Sequence, residues 1–148
     1  MAETTTSDKP LFVDLDVEIA APAERVFDSL LDELGPSFRT PQNETMSMKL
    51  EARPGGRWFR DLGNDQGHFW GQVQVIKRPT LLELTGPLFM SYAAVSHLQF
   101  RLAPAGEGKT KLTLRHTAIG LIPDDHRKGV STGWTEILKR VREHAERK

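Results

Sequence analysis

The sequence predicts an α+β domain in which a curved antiparallel sheet wraps around a long C-terminal helix. Near the N-terminus, apolar residues recur every second position, and this period persists through a series of short segments separated by turn residues. After residue 122 the period becomes helical. Helices that are segregated from a run of antiparallel strands are typical of α+β domains. We therefore expect about six to seven strands, one or two short helices after the first strand, and the last helix on the concave face.

Composition limits the function classes. The chain has 148 residues, which is the usual length of one domain. Lys plus Arg and Asp plus Glu each number 20, so the basic excess of a typical nucleic-acid binder is absent and no nucleic-acid partner is predicted. The sequence contains no cysteine, which excludes a disulfide framework, a thiolate nucleophile and a zinc–thiolate site.

The N-terminal segment is polar, and we predict a disordered tail over residues 1–10 followed by one domain over 11–148. The segment lacks the positive start and the apolar run of a signal peptide. No apolar stretch approaches the length of about 20 residues that a membrane span needs. A cytoplasmic location without a membrane span is therefore expected.

The first strand and the first helix carry clear signals. Strict alternation over 11–19 predicts a half-buried strand. Pro22 suits a first helical turn and Glu24 suits the positive end of the helix dipole. Gly35 and Pro36 end this helix. Residues 37–43 form either a short helical turn or a loop. The predicted apolar stripe of the helix consists of Val26, Phe27, Leu30, Leu31 and Leu34.

The middle of the chain consists of alternating segments bounded by Gly, Pro, Asn and Asp, which indicates hairpins. A final helix begins near Asp124 and Asp125, which are suitable residues for a cap and a first turn. The predicted strands are 46–51, 57–62, 68–76, 81–85, 93–102 and 109–118. The stripe of the final helix is Val130, Trp134, Ile137, Leu138 and Val141.

Several short motifs resemble the START-like (SRPBCC) superfamily, which has the helix-grip fold of the birch-pollen allergen. They are Ala-Ala-Pro-Ala-Glu-Arg-Val-Phe at 20–27, the run from Arg53 to Trp58, Gly71-Gln72-Val73, the strand 110–116, and Gly133-Trp134. Together they are similar to the branch named for activators of the heat-shock-protein-90 ATPase, over 11 to about 142. The resemblance implies a cavity between sheet and helix. It implies no particular chemistry, because members range from lipid carriers to cyclases, hydrolases and co-chaperone domains.

The candidates for lining that cavity are residues placed on the inner face of the sheet or of the last helix. They are Met46, Met48, Trp58, Arg60, Trp70, Tyr92, Leu98, Phe100, Leu114, His116, Val130, Trp134 and Leu138.

Several of these candidates carry alternatives. Trp134 lies either at one end of the cavity or in the ordinary core, and Met46 and Met48 suit either a core or an adaptable pocket. His116 shares a face with Leu112 and Leu114, so it is either an imidazole that orients or deprotonates a ligand or a core histidine bonded to a backbone carbonyl. Arg60 shares a face with Trp58 and is either an anchor for a carboxylate or a surface arginine. The strand pattern leaves the face of Trp70 open, whereas it places His97 on the outer face.

No metal or cofactor is predicted. The five histidines have no metal-ligand spacing, and the glycine-rich segments lack Walker or dinucleotide spacing. Asp124, Asp125 and His126 at a helix start are interpreted as capping residues. No catalytic residue is assigned.

Three functions remain as hypotheses. The first is binding of a small hydrophobic or lipid-like molecule in the internal cavity. The second is a cyclase- or hydrolase-type enzyme in which at least two of Tyr92, His116 and Arg60 converge on one pocket. The third, implied only by the name of the branch, is a chaperone-ATPase cofactor. The loop 86–91 is either a lid or a patch for a protein partner or a second copy, or it is tucked against the domain's own edge.

Overall fold

A computed structural model describes residues 6–7 and 9–147 of the chain. It shows an α+β domain with a seven-stranded antiparallel sheet, a short helix after the first strand of that sheet, and a long C-terminal helix. In chain order the elements are β1 (Thr6–Ser7), β2 (Leu11–Ile19), α1 (Ala23–Leu34), β3 (Lys49–Leu50), β4 (Arg57–Gly63), β5 (Gln66–Lys77), β6 (Leu81–Gly86), β7 (Ala94–Pro104), β8 (Thr110–Gly120), β9 (Ile122–Pro123) and α2 (Asp124–Glu146).

The sheet has the order β2-β8-β7-β6-β5-β4-β3. Strands β3 to β8 follow one another as a meander, whereas β2 joins the sheet beside β8, near the other end of the sequence. The register of this pair runs from Leu11 opposite Ala118 to Ile19 opposite Thr110. The predicted fold class is confirmed.

The core lies between one face of the sheet and the two helices. On β7 the residues Ser96, Leu98, Phe100 and Leu102 are buried, and they alternate with residues that are half-buried or exposed. The helix α2 buries the stripe that its sequence predicts, extended by one residue at its end. The members of this buried stripe are Val130, Trp134, Ile137, Leu138, Val141 and Ala145.

Two bulges in β5 interrupt the alternation of inward- and outward-facing side chains that its sequence predicts. The register passes from Trp58 opposite Gly71 to Phe59 opposite Phe69, so Trp70 is an extra residue on its strand. A bulge re-aims side chains, and Trp70 is buried although His68, two positions earlier, is exposed. A second bulge lies between Val73 and Val75. Of the two faces left open for Trp70, the structure shows the inner one.

The segment between α1 and β3 is a loop. It contains one isolated bridge, between Arg39 and Thr45. The expected strand from residue 46 is shortened to Lys49–Leu50, because the backbone N–H groups of Met46 and Met48 donate to Phe38 and Gly35 and not to a neighbouring strand. The same two bonds hold the loop against the end of α1.

Part of the expected N-terminal tail is paired. Thr6 and Ser7 lie opposite Pro123 and Ile122 in a separate two-stranded sheet. The rest of the predicted tail before Lys9, residues 1–5 and 8, lies outside the described residues. Within the part of the chain that the structure describes, neither helix combines the length and the apolar character needed to cross a membrane.

Candidate functional site

A cleft of about 460 Å³ lies between the first half of α2, the loop after α1 and the segment that follows β6. We call it the helix cleft. It is lined by Phe38, Arg39, Thr40, Pro41, Met46, Trp70, Phe89, His126, Gly129, Val130, Gly133, Trp134 and Ile137. Most of these residues are apolar, and the acidic residues of the described chain contribute none of the lining.

Two glycines form the helical side of the cleft. Gly129 and Gly133 are four residues apart and therefore lie on one face of α2. A Cβ atom at Gly129 would have no neighbour within 4 Å, and one at Gly133 would meet Pro41 Cγ at 3.9 Å. The helix therefore presents its bare backbone to open space at this point.

Phe89 forms the inner wall of the cleft. Its ring stacks on His126 with the centroids 5.0 Å apart, and it contacts Trp70 and Trp134 at 5.7 and 5.9 Å. The preceding Leu88 has a φ of 55° and donates its backbone N–H to the carbonyl of Trp70 at 2.7 Å. Leu88 and Met90 are buried in the core, so this loop is tucked against the domain and only Phe89 turns toward the cleft.

The imidazole of His126 is the polar group of the first turn of α2 that reaches the cleft. The hydroxyl of Tyr92 hydrogen-bonds to its Nδ1. Burial lowers the pKa of His126 and raises the pKa of Tyr92, so both groups are neutral at pH 7. The tyrosine O–H donates when Nδ1 is unprotonated, and Nδ1–H donates to the phenol oxygen in the other tautomer of the imidazole. The pair places one imidazole at the wall of an apolar space, with one hydroxyl bonded to it.

The sequence predicts a capping role for His126, and the structure instead places its side chain in the lining of the cleft. The signal was present, since His126, Val130 and Trp134 are spaced by four residues and extend the apolar stripe of α2 back by one turn.

His116 lies in the core and is fully buried. The indole N–H of Trp134 donates to its Nδ1 at 3.0 Å, so Nε2 carries the proton and donates to Ser96 Oγ at 2.9 Å. Burial, with a smaller contribution from nearby His126, lowers the pKa of His116 to about 4. Both ring nitrogens are already used, which matches the expectation of a satisfied core histidine, with side chains as partners in place of the expected carbonyl.

The other predicted candidates separate into three groups. Met46, Trp70, Val130 and Trp134 line the helix cleft, and Tyr92 approaches it through His126. Arg60 lies beside the cleft in a second cavity. The rest belong to the packed core, and they are Met48, Trp58, Leu98, Phe100, Leu114 and Leu138. Sequence reasoning did not include the loop residues Phe38 to Pro41, Phe89 or the two glycines among the residues that line the cavity.

The second cavity has a volume of about 410 Å³ and lies along the β4–β5 hairpin. We call it the hairpin groove. It shares Met46, Trp70 and Phe89 with the helix cleft, so these three side chains form the partition between the two spaces. The residues that line it are Met46, Arg60, Gly67, His68, Phe69, Trp70, Leu88, Phe89, Met90 and Ser91.

Among the described residues, three potential metal ligands converge away from both cavities, where α1 meets α2. Ligand atoms of Asp32, Glu33 and His144 lie within 4.8 Å of one another. His144 Nδ1 is 2.9 Å from Glu33 Oε2 and 3.5 Å from Asp32 Oδ2. The contact between His144 and Glu33 is a hydrogen bond that joins the two helices, and it accounts for this arrangement.

Residues 20–146 of this chain match the model of one protein family, described as activator of Hsp90 ATPase homolog 1-like protein. The chain belongs to this family. The match confirms the resemblance that the sequence motifs indicate. No curated protein sequence matches the chain.

Several solved structures with a similar fold align with almost the whole chain. An uncharacterized protein from Rhizobium leguminosarum has a TM-score of 0.70 at 18% identity, over 98% of this chain and 100% of its own. A protein from Chromobacterium violaceum has a TM-score of 0.70 at 22% identity, over 93% and 98%. The Zhui aromatase/cyclase from Streptomyces sp. R1128 has a TM-score of 0.65 at 18% identity, over 94% and 95%. At these identities the likeness concerns the fold.

Proposed function

We propose that the protein binds a small apolar or amphipathic molecule in the helix cleft. The observation that carries this proposal is a cleft of about 460 Å³ whose walls are mainly aromatic and aliphatic side chains. Sites for small molecules are typically concave, apolar and roughly 300–1,000 Å³ in volume, with a few polar groups that orient the ligand. His126, held by Tyr92, supplies such a group.

The glycines of α2 support the same proposal. Each glycine within a helix costs about 1 kcal/mol relative to alanine. At Gly129 no neighbouring atom requires the absence of a side chain, since a Cβ would meet open space. A flat or chain-like ligand that packs against the helix backbone would make use of that space.

The loop that faces α2 is held in place without closing the cleft. Arg140 Nη1 and Nη2 donate to the carbonyls of Arg39 and Thr40, each at 3.1 Å. Arg39 in turn donates to the carbonyl of Asn43 at 3.1 Å. These bonds fix the rim of the cleft, so the space does not depend on a ligand to form.

A neutral fluorescent probe tests the proposal. N-phenyl-1-naphthylamine, which becomes fluorescent in apolar sites, is titrated into the wild type, Gly129→Leu and the matched control Ser131→Leu, whose position on α2 is exposed. We expect saturable binding to the wild type and the control, and at least a tenfold weaker binding to Gly129→Leu, because its side chain fills the cleft. Equal affinities for all three proteins would place the probe elsewhere and refute the proposal.

A cyclase- or hydrolase-type enzyme is the second candidate, and the Tyr92–His126 pair at the cleft wall favours it. A neutral imidazole bonded to a phenol is suited to general acid–base catalysis. The partners expected from the sequence do not join this pair, since both nitrogens of His116 are occupied and Arg60 lies beyond Phe89.

This candidate predicts that the protein hydrolyses p-nitrophenyl butyrate faster than an equal concentration of imidazole in buffer. Tyr92→Phe and His126→Gln should each lower that rate at least tenfold, whereas His97→Gln, on the outer face of β7, should not. If the wild type hydrolyses the ester no faster than imidazole does, the hypothesis that this pair is catalytic is rejected.

A further inference from the structure

The hairpin groove carries a cation on the inner face of the sheet. Arg60 is two residues from the buried Trp58 on β4, so both side chains lie on the same face. Arg60 also lies directly opposite His68 on β5. The inner face therefore changes from aromatic at Trp58 and Trp70 to cationic at Arg60.

Two cations near Arg60 are already paired. Lys49 Nζ lies 3.0 Å from Asp61 Oδ2, and Arg57 Nε lies 3.0 Å from Glu51 Oε1. Within the described residues, the guanidinium of Arg60 takes part in none of the side-chain ion pairs or hydrogen bonds. The lining of the groove contains no aspartate or glutamate. A half-buried guanidinium without an anion is an unused binding group.

The groove and the helix cleft are neighbours. They share Met46, Trp70 and Phe89 in their linings. Methionine is flexible, and Phe89 lies on a short turn between β6 and β7. A molecule that fills the cleft with an apolar body can therefore extend past Met46 and Phe89 and bring a polar end to Arg60.

We propose that the ligand is an amphipathic carboxylate whose acidic group binds Arg60 and whose apolar body occupies the helix cleft. This inference rests on the proposed binding function and names the class of ligand. The planar guanidinium matches a carboxylate with two parallel hydrogen bonds, which are stronger than bonds between neutral groups. The apolar lining of the cleft selects the rest of the molecule.

Decanoate and decan-1-ol test this assignment because they share a ten-carbon body and differ in the charged end. Their affinities are measured by isothermal titration calorimetry at pH 8 with the wild type, Arg60→Gln and Arg101→Gln. Arg101 is exposed on the outer face of β7, where its Nε donates to Gln99. It provides the same chemical change away from both cavities.

We expect the wild type and Arg101→Gln to bind decanoate at least about tenfold more tightly than decan-1-ol, as a charge-assisted bond provides. Arg60→Gln should lose this preference and keep its affinity for decan-1-ol, which also shows that the variant is folded. A preference retained in Arg60→Gln overturns the inference. Equal binding of both probes to the wild type overturns it too and leaves the binding function standing, whereas binding of neither probe contradicts both.

Discussion

The indole Nε1 of Trp134 lies 3.0 Å from Nδ1 of His116 and donates a hydrogen bond to it. This bond connects α2 with β8 in the core, and it determines which nitrogen of the imidazole carries the proton. The protonated Nε2 of His116 in turn donates a hydrogen bond to Ser96 Oγ on β7. One helix and two strands are therefore joined by a chain of polar contacts within an otherwise apolar interior.

Replacing Trp134 by phenylalanine tests the strength of this chain. The Trp134→Phe variant keeps an aromatic ring but leaves Nδ1 of His116 buried without a donor, so its free energy of unfolding should fall by about 2–3 kcal/mol. Urea unfolding followed by circular dichroism measures the change. The control is Ile137→Val, one turn further along α2, which removes only a methylene group and should cost about 1 kcal/mol. Similar losses for the two variants would show that the hydrogen bond contributes little.

The stability of the domain should decrease as the pH falls from about 6.5 to 4.5. Burial lowers the pKa of His116 from 6.5 to about 4 and also lowers the pKa of His126, so the unfolded chain binds more protons than the folded one in this interval. Stability is therefore fully present above the unfolded pKa and is lost as the pH falls toward the folded pKa. For His116 alone the full loss is roughly 3 kcal/mol.

Urea unfolding at several pH values measures this slope. Carboxylates with lowered pKa values, such as Glu51 at about 2, contribute their own losses below this interval. The variant His116→Gln should have a clearly smaller slope between pH 6.5 and 4.5, whatever its stability at pH 7. An unchanged slope would contradict the assignment of His116 as a buried neutral group.

Trp58 closes the end of α1, and its loss should cost more than the loss of Trp70. Trp58 Nε1 donates to the carbonyl of Leu34, the last residue of α1, at 2.8 Å. Helix ends leave such carbonyls without intrahelical partners. Trp58→Phe leaves this buried acceptor unpaired and should lower the free energy of unfolding by about 1–2 kcal/mol more than Trp70→Phe. The indole of Trp70 donates to no group within the described residues, so an equal cost for both would contradict the prediction.

Gly129→Ala should stabilise the ligand-free protein. The added methyl group points into open space and improves helix propensity, so we expect a gain of about 0.5–1 kcal/mol. Thermal unfolding of the purified protein checks this. Gly133→Ala serves for comparison, since its methyl group would make an ordinary contact with Pro41. A loss of stability at Gly129 would mean that the facing loop lies closer to α2 than the structure shows.

The order and type of the main elements follow from local sequence patterns. In β2 an apolar residue stands at every second position. In α2 the apolar residues recur at helical spacing from Val130 to Ala145, which is the part of the helix that packs on the core. Strand ends and faces depend on partners that a local pattern does not contain. Met46 and Met48 alternate like a strand, but their N–H groups bond to the loop after α1. The face of Trp70 is determined by a bulge opposite Trp58, which periodicity does not reveal.

The candidate site was less predictable than the fold. Inward-facing residues such as Val130 and Trp134 follow from the helical period, and both line the cleft. The cleft exists, however, because Phe89 and the loop from Phe38 meet α2, and the positions of loops in space have no periodic signal. At Gly129 the sequence reveals the unfavourable helix propensity of glycine, but it does not reveal the empty space beside this residue.

The position of β2 in the sheet has a consequence for synthesis. Translation completes β2 at Ile19, but its partner β8 begins only at Thr110, so at 5–20 residues per second this strand waits roughly 5–20 s for its hydrogen bonds. During that interval an apolar, alternating segment is exposed to other nascent chains. Its outer face carries Asp14, Asp16 and Glu18, charges that discourage such pairing. Once β8 is synthesised, Arg115 and Lys111 lie opposite this acidic row. The charges that discourage pairing of the unpaired strand with other chains therefore also favour the correct register with β8.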